Sequence, residues 1–246
     1  MDGIIAKDMS VYYRDKKALD NISVEIRKSK ITGIVGPNGA GKSTFLKALI
    51  RLIPSENKGV SIFGKTLKEM QRKVAYVEQR SALDLTFPID VKGTVLLGTY
   101  PKLSFWSRPG KNEKDDVEAA LKKVELWDLK DRQIDELSGG QLQRVFIARA
   151  LAQEADLILL DEPFVGIDMT SEKMIIEILK ELRNEGKTII IVHHDLHKVV
   201  EYFDDLIVLD GKMVGYGTVE STFTKENLDE AYGEMFGSLV LEGVQS

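Results

Sequence analysis

The sequence predicts an α/β fold in which a mostly parallel sheet is combined with an antiparallel β subdomain and an inserted α-helical subdomain. Residues 157–160 and 189–192 are continuously apolar, which is typical of parallel strands covered on both faces. Apolar and polar residues alternate over 22–26, as in a half-buried antiparallel strand. From about residue 83 to 156 the apolar spacing is helical instead.

The first half of the chain begins with strand-like segments. The apolar run 31–35 enters a glycine-rich segment, and the apolar residues after that segment have helical spacing. Residues 60–65 are predicted as a strand that runs into a tight turn, and 74–77 as another short strand. We therefore expect a strand-loop-helix joint near the start of the chain, followed by two short strands.

The second half alternates helices and strands. A helix with Val91 on its buried face is predicted first, and a second helix is predicted to be capped by Asn112. A helix between the two parallel strands should end near Gly186. Residues 206–214 are predicted as a β-hairpin, whereas beyond Gly217 the pattern is weak.

Composition excludes several classes of protein. The 246 residues carry 34 Lys+Arg against 39 Asp+Glu, a net charge of −5, so a broad basic surface for nucleic acid is not expected. Cysteine is absent, which leaves no disulfide framework, no thiolate metal site and no cysteine nucleophile. We expect neither a signal peptide nor a membrane-spanning helix, and any work at a membrane would need a partner.

The glycine-rich segment 36–44 is the strongest motif in the chain. It fits G-x-x-x-x-G-K-[ST] on a strand-loop-helix joint, where backbone N–H groups and a helix N-terminus bind phosphate. Lys42 is expected to reach the β- and γ-phosphates, and the Ser43 hydroxyl to bind Mg²⁺. The predicted nucleotide-binding residues are Gly36, Pro37, Asn38, Gly39, Ala40, Gly41, Lys42, Ser43 and Thr44.

Two further segments have the composition of phosphate or metal sites. Asp161 and Glu162 follow the strand 157–160, at the end of a parallel strand where ligands bind. Asp161 is expected to hold Mg²⁺, and Glu162 to polarise an attacking water. Ser138, Gly139 and Gly140 precede a helix and offer a second anion-binding surface, which a single nucleotide does not obviously need.

These motifs together resemble the ATP-binding-cassette (ABC) family. The segment 36–44, Gln79, the segment 137–141, Asp161-Glu162 and a late histidine occur in the order of that family and span nearly the whole chain. The resemblance implies a P-loop NTPase (RecA-like) core within an L-shaped ABC nucleotide-binding domain. It also implies a head-to-tail dimer that sandwiches ATP.

In such a dimer the signature of one copy contacts the ATP held by the other copy. The resemblance assigns this contact to Ser138, Gly139, Gly140 and Gln141. Asp168 would lie in a loop at the dimer interface, where Phe164-Val165 replaces the small residues of many relatives.

The resemblance also assigns the remaining roles. Gln79 would sense the γ-phosphate and Mg²⁺, so that Ser43, Gln79 and Asp161 form the expected Mg²⁺ set. Tyr13 fits the aromatic residue that stacks on adenine, with Tyr12 as the alternate. The expected catalytic residues are Glu162, His194, Lys42 and Gln79.

All three histidines of the chain lie in the segment 193–197. His193 and His194 are neighbours at the end of a strand and should point in opposite directions, which disfavours a metal site. His194 matches the histidine of the family that bonds the γ-phosphate, whereas His193 and His197 are expected to be structural or exposed.

The domain prediction is a single ABC ATPase domain over 1–246. Residues 1–82 and 157–220 would form the core with its antiparallel β subdomain, 83–156 the helical signature subdomain, and 221–246 a C-terminal tail. The tail receives no function.

The closest likeness within the family is to importers of manganese, zinc or iron chelates, with the manganese type first. It is carried by Gln79-Arg80-Ser81, Phe87-Pro88, Tyr100-Pro101, and the segments 162–168 and 192–195. The expected partners are a second copy, a membrane permease and, indirectly, an extracytoplasmic metal-binding protein, with no nucleic acid. The expected location is the cytoplasmic face of the cell membrane.

Two alternatives stay open at this point. One is a soluble ABC ATPase that acts on DNA or ribosomes, although the chain shows neither a long coiled-coil insertion nor a tandem duplication. The other is an ABC motor for a different substrate.

Overall fold

The computed structural model describes residues 3–14, 16–79, 87–104, 107–234 and 240. The strands are β1 (Ile4–Tyr13), β2 (Lys16–Ile26), β3 (Ile31–Val35), β4 (Gly59–Ile62), β5 (Val74–Val77), β6 (Leu157–Asp161), β7 (Thr188–Val192), β8 (Asp205–Asp210) and β9 (Lys212–Thr218).

The helices follow the same order. They are α1 (Lys42–Leu49), α2 (Leu67–Met70), α3 (Val91–Leu96), α4 (Lys111–Lys123), α5 (Gly139–Ala152), α6 (Met169–Asn184), α7 (Val199–Tyr202), α8 (Val219–Thr222) and α9 (Lys225–Tyr232). The chain divides into two compact units, one of residues 1–70 with 188–246 and one of residues 71–187.

The first unit contains two sheets. β1 pairs antiparallel with β2 on one side and with β4 on the other. In the other sheet β3 lies between β7 and β8, parallel to both, and β9 pairs antiparallel with β8. Every residue of β3 and β7 is buried, which agrees with their largely apolar sequences.

The second unit combines a parallel strand pair with helices. β5 pairs parallel with β6, which is buried along its whole length. Val91, Val95, Val117 and Leu121 are fully buried, so α3 and α4 contribute apolar faces to the core of this unit. The second unit therefore contains a helical core and a short parallel β element.

The predicted fold class is confirmed, with an antiparallel sheet, parallel strands and a helical segment all present. The hairpin is also confirmed, and Gly211 at its turn has a φ of 66°, which favours glycine. The predicted divisions near 82 and 156 remain predictions. The beginning of the helical stretch, Arg80-Ser81 and the tail beyond 234 (residue 240 excepted) lie outside the described residues, as does Asp15.

The predicted cap at Asn112 is wrong. α4 begins at Lys111, and its N-cap is Gly110, two residues before the predicted cap. The backbone N–H of Gly110 donates to the Glu113 carboxylate over 2.7 Å, so the glutamate three residues on defines the helix start instead. Asn112 is therefore the second residue of the helix.

Residues beyond Gly217 are more regular than the sequence suggested. The Thr218 side chain caps α8 by accepting from the N–H of Ser221, and the Thr224 side chain caps α9 by accepting from the N–H of Asn227. Both helices are short, which explains why their apolar periodicity is hard to detect. In the part of the chain that the structure describes, no helix has the length and apolar character needed to cross a bilayer.

Candidate functional site

The segment 36–44 forms a loop between the buried strand β3 and helix α1. Gly39 and Gly41 have φ values of 83° and 89°, which non-glycine residues rarely adopt. A side chain on Gly36 would lie 2.0 Å from the carbonyl oxygen of Leu209, and one on Gly41 would lie 2.6 Å from Leu19. Glycines are thus required both by the turn and by the close packing of the loop.

Lys42 is buried at the centre of this loop. Its Nζ donates to the carbonyl oxygens of Gly36 over 2.7 Å and of Pro37 over 2.9 Å. These two hydrogen bonds therefore hold the Lys42 ammonium against the backbone of the loop. At the start of α1 the cap residue is Gly41, and no side chain caps the helix there. A phosphate group fits such a loop because a cation, backbone N–H groups and the positive end of a helix meet there.

The two tyrosines at the end of β1 differ in their surroundings. Tyr12 is 45% exposed, and the Lys17 ammonium lies 5.4 Å from the centre of its ring. Tyr13, at 51% exposure, lies opposite Lys16 in the strand register. Because the Tyr12 ring already has a cation against it, the preference for Tyr13 as the adenine-stacking residue is retained as a prediction.

The two neighbouring histidines point to different environments. His193 is 2% exposed and lies against Tyr202 and Phe203, with ring-centre distances of 5.9 Å and 5.6 Å. Burial lowers the pKa of His193 to about 4, and the neighbouring His194 acts in the same direction. His194 and His197 are exposed. Among the residues that the structure describes, no three His, Cys, Asp or Glu side chains are grouped so that they could hold a metal ion.

In the second unit, Asp161 at the end of β6 and the next residue, Glu162, accept hydrogen bonds from side chains in or just after β5. The Tyr76 hydroxyl donates to Oδ2 of Asp161 over 3.0 Å, and Nε2 of Gln79 donates to Oε2 of Glu162 over 2.8 Å. Asp161 is 4% exposed, and Glu162 has a φ of 49°. Positive φ at a residue other than glycine costs about 1–3 kcal/mol, so the surrounding structure must hold Glu162 in this conformation.

Gln79 and Glu162 are thus brought together as neighbours, whereas Tyr76 was not among the predicted site residues. One tyrosine inside a short apolar strand is ordinary in composition, so the sequence carries no signal for its contact. Burial, followed by the charge of Asp161, raises the pKa of the Tyr76 phenol, which keeps the hydroxyl protonated as a donor.

The signature segment forms the N-terminus of α5. The Ser138 hydroxyl accepts from the N–H of Gln141 over 3.3 Å, and Oε1 of Gln141 accepts from the N–H of Ser138 over 3.0 Å. This reciprocal capping box fixes the first turn of the helix. Ser138 is exposed, so its hydroxyl is held in place at the surface.

The second signature glycine has a packing role that the motif did not reveal. A side chain on Gly140 would lie 2.3 Å from both Cβ and Oγ of Ser171, near the start of α6. Asp168 caps α6, accepting from the N–H of Ser171 over 2.9 Å and from its hydroxyl over 2.6 Å. These hydrogen bonds lower the pKa of Asp168. Gly140, Ser171 and Asp168 therefore form one local structure.

The fold and these loops define the chain as an α/β protein with a P-loop for nucleotides. The family model for the ABC transporter matches residues 19–165. The chain therefore belongs to the ABC transporter family, and it binds ATP through the domain that defines this family.

Similar proteins come from metal transport systems. A manganese transport system ATP-binding protein of Listeria monocytogenes is 57% identical over 92% of this chain and 94% of its own. A zinc transport system ATP-binding protein of Treponema pallidum is 47% identical over 94% of this chain and 87% of its own.

Solved structures share the fold. An inward-facing structure described as a metal-chelate type ABC transporter has a TM-score of 0.83 at 24% identity, covering 94% of this chain and 89% of that one. A bacterial ABC transporter cassette solved as a dimer has a TM-score of 0.77 at 30% identity, covering 88% of this chain and 98% of the other.

Proposed function

We propose that the chain is the ATP-hydrolysing motor subunit of an importer for a transition-metal ion, with manganese favoured and zinc or iron next. The observation that carries this proposal is the P-loop geometry, in which the buried Lys42 ammonium is fixed inside a loop of left-handed glycines. The transported ion is suggested by the names of the relatives, which belong to manganese and zinc systems.

The proposed reaction is hydrolysis of ATP to ADP and phosphate. In this reaction the protein contributes mainly by positioning the reactants and neutralising their charge, and little by forming covalent bonds. Gly36, Pro37, Asn38, Gly39, Ala40, Gly41, Lys42, Ser43 and Thr44 bind the phosphates, and Tyr13 stacks on adenine. Glu162 accepts a proton from the attacking water, and His194 bonds the γ-phosphate.

Mg²⁺ would supply charge neutralisation at the phosphates, and its proposed ligands are Ser43, Asp161 and Gln79. The donor set fits this ion, because hydroxyl, carboxylate and amide oxygens are the hard ligands that Mg²⁺ prefers. The buried Asp161 carboxylate, with one oxygen already bonded to Tyr76, has the fixed orientation that such a ligand requires.

The functional unit in this proposal is a pair of identical chains. Ser138, Gly139, Gly140 and Gln141 of one copy contact the ATP of the other, and Asp168 lies in the loop at their interface. The exposed position of Ser138 on a pre-formed helix start supports this role. So do Val165 and Met169 beside Asp168, which are 41% and 67% exposed.

A membrane permease is the second proposed partner, and it would hold the chain at the cytoplasmic face of the cell membrane. An extracytoplasmic metal-binding protein would act on that permease from the other side. A cleft of about 570 Å³ in the second unit suits a short helix of the permease, with the exposed Tyr100 at its edge. It is lined by Gln71, Arg72, Tyr100, Pro101, Leu103, Ser104 and Ser107. Phe105 and Trp106 lie outside the described residues.

Replacement of Glu162 by Gln tests the catalytic part of the proposal. Glu162→Gln is expected to bind ATP normally, to lose turnover and to accumulate as an ATP-bound dimer, because water is no longer activated. Turnover and size-exclusion chromatography with ATP are the measurements. Glu201→Gln, at an exposed position on α7, is the matched control. Near-normal turnover in Glu162→Gln would exclude Glu162 as the base.

Metal-uptake profiling of a deletion strain tests the transport part. Loss of manganese uptake, restored by the wild-type chain and not by Glu162→Gln, is the expected result. Normal uptake of all three metals, together with binding of the purified chain to DNA or ribosomes, would instead favour the soluble alternative.

A further inference from the structure

The two carboxylates at the end of β6 each accept a hydrogen bond from the region of β5, but the two donors occupy different kinds of position. Tyr76, which bonds Asp161, is the third residue of the four-residue strand. Gln79, which bonds Glu162, lies two residues beyond the end of the strand. The first bond is thus set by the sheet and the second by the segment that follows it.

The sheet fixes the backbone position of Tyr76. In the parallel register, Tyr76 lies opposite Leu159, and Val77 lies opposite Leu160. The neighbouring residues Ala75 and Val77 are 5% and 3% exposed and project from the opposite face of the strand, so their packing anchors the backbone that carries Tyr76. The hydroxyl therefore reaches Asp161 from a backbone position that has little freedom.

Asp161 is the residue on which this bond acts. A carboxylate has two oxygens, and the phenol occupies Oδ2. A hydrogen bond to one oxygen restricts the rotation of the carboxylate and so helps to orient both of its oxygens. Partners of this kind orient metal-binding side chains, and their loss typically lowers metal affinity by about 10–100-fold.

We propose that Tyr76 is a positioning residue that orients the Asp161 carboxylate for Mg²⁺ through the hydrogen bond from its hydroxyl to Oδ2. The inference rests on the proposed function, because it takes Asp161 as a ligand of the ion. In this proposal Tyr76, within β5, contacts the metal-binding carboxylate, and Gln79, beyond β5, contacts the catalytic carboxylate.

The test uses the full chain and a non-hydrolysable ATP analogue. Tyr76→Phe removes one oxygen atom and keeps the ring. Its apparent Kd for Mg²⁺ in the presence of the analogue is expected to rise about tenfold. Binding of the analogue in EDTA is expected to stay close to that of the wild type. Tyr216→Phe, which removes the hydroxyl of an exposed tyrosine, is the matched control and should leave Mg²⁺ binding unchanged.

A spectroscopic readout separates orientation from general damage. With Mn²⁺ in place of Mg²⁺, the electron paramagnetic resonance spectrum of the bound ion is expected to broaden in Tyr76→Phe, because the carboxylate samples more orientations. The spectrum of Tyr216→Phe should match that of the wild type.

Asp161→Asn distinguishes the possible failures. If Asp161→Asn loses Mg²⁺ affinity while Tyr76→Phe keeps wild-type affinity and an unchanged spectrum, the positioning role of Tyr76 is wrong and the proposed function stands. If Asp161→Asn itself binds Mg²⁺ normally, the assignment of Asp161 as a ligand is wrong and the inference fails with it. Equal weakening of analogue binding with and without Mg²⁺ in Tyr76→Phe would indicate a purely structural role and also overturn the inference.

Discussion

The two glycine-containing helix starts of this chain are built in opposite ways. At α1, glycine occupies the cap position, no side chain closes the helix, and a buried lysine holds the loop. At α5, Ser138 and Gln141 close the first turn with two reciprocal hydrogen bonds. A helix start without a side-chain cap suits a ligand that supplies the missing contacts. A helix start that is exposed and closed by a capping box is a rigid surface, which suits contact with a nucleotide already bound by another chain.

Gly39, before α1, and Gly140, in α5, differ in the space around them. At Gly39, an added side chain would meet nothing within 4 Å, so the position faces open space. At Gly140, an added side chain would collide with Ser171. Gly39, in the loop before α1, therefore leaves room for a ligand, whereas Gly140 allows α5 and α6 to approach each other. The proposed roles, ATP binding by one copy and contact in trans by the other, agree with this difference.

The largest effect is expected from a charge placed at Ser138. Asp is as good an N-cap as Ser, so Ser138→Asp keeps the helix start but presents a negative charge to the phosphates of the partner. ATPase activity is expected to fall by at least about 100-fold, while ATP binding by the single chain stays normal. Steady-state hydrolysis and fluorescent-nucleotide binding are the measurements.

Ser138→Ala is the companion variant, because it removes the cap without adding charge. It should lose about 0.5–2 kcal/mol of stability and a smaller part of the activity. A collapse of ATP binding by the single chain in Ser138→Asp would mean that the signature acts on its own P-loop.

A smaller effect is expected at Gly140. Gly140→Ala should lower the free energy of unfolding by about 1–3 kcal/mol, because the new methyl group overlaps Ser171. Combined with Ser171→Gly, which removes the colliding atoms, the loss should be less than the sum of the two single losses. Chemical denaturation of the four proteins measures this coupling. Additive losses would contradict the packing role.

Gly39→Ala provides the contrast. It costs about 1 kcal/mol of backbone strain without a collision, so its main effect should be weaker ATP binding. If Gly39→Ala lost more stability than Gly140→Ala and still bound ATP normally, the proposed difference between the two glycines would be wrong.

The smallest effect concerns His193 and pH. Its pKa is lowered to about 4 in the folded chain, so between pH 6.5 and 4 the unfolded chain binds more protons and stability falls as the pH falls. Between pH 6.5 and 5.5 this histidine should remove about 1 kcal/mol from the free energy of unfolding. His193→Asn should lack this component, whereas His194→Asn, at an exposed position, should retain it. Denaturant unfolding at both pH values measures the difference.

Much of the fold could be predicted because parallel buried strands leave a plain signal. β3, β6 and β7 are mostly apolar, with continuous apolar runs at 157–160 and 189–192, and Asp210-Gly211 marks the hairpin. β1 was not predicted. Its pairing with β2 contains several register shifts and Asp8 has a φ of 50°, so bulges interrupt the alternation that would have revealed it.

The functional site likewise has parts that the sequence predicts and parts that it does not. The P-loop, the signature and the carboxylate pair are short contiguous motifs, so the sequence alone predicts them. Tyr76 and Asp161 are 85 residues apart, and their contact depends on the register of β5 against β6. The contact of Gly140 with Ser171 likewise depends on how two helices pack. Neither contact can be predicted from local sequence.

The central claim is that a P-loop and a signature work together only when they come from different copies. Mixing two defective chains tests it most directly. Lys42→Ala has a damaged P-loop and an intact signature, whereas Ser138→Asp has an intact P-loop and a damaged signature. Each is expected to be inactive alone.

In a mixed dimer, the P-loop of the Ser138→Asp chain meets the intact signature of the Lys42→Ala chain. Random pairing of equal amounts should therefore restore ATPase activity to at most about a quarter of the wild-type level, because half of the dimers are mixed and each has one complete site. Activity that rises well above that of either parent on mixing is the predicted result. Activity that stays at the level of the parents, in mixtures shown to contain mixed dimers, would contradict the account.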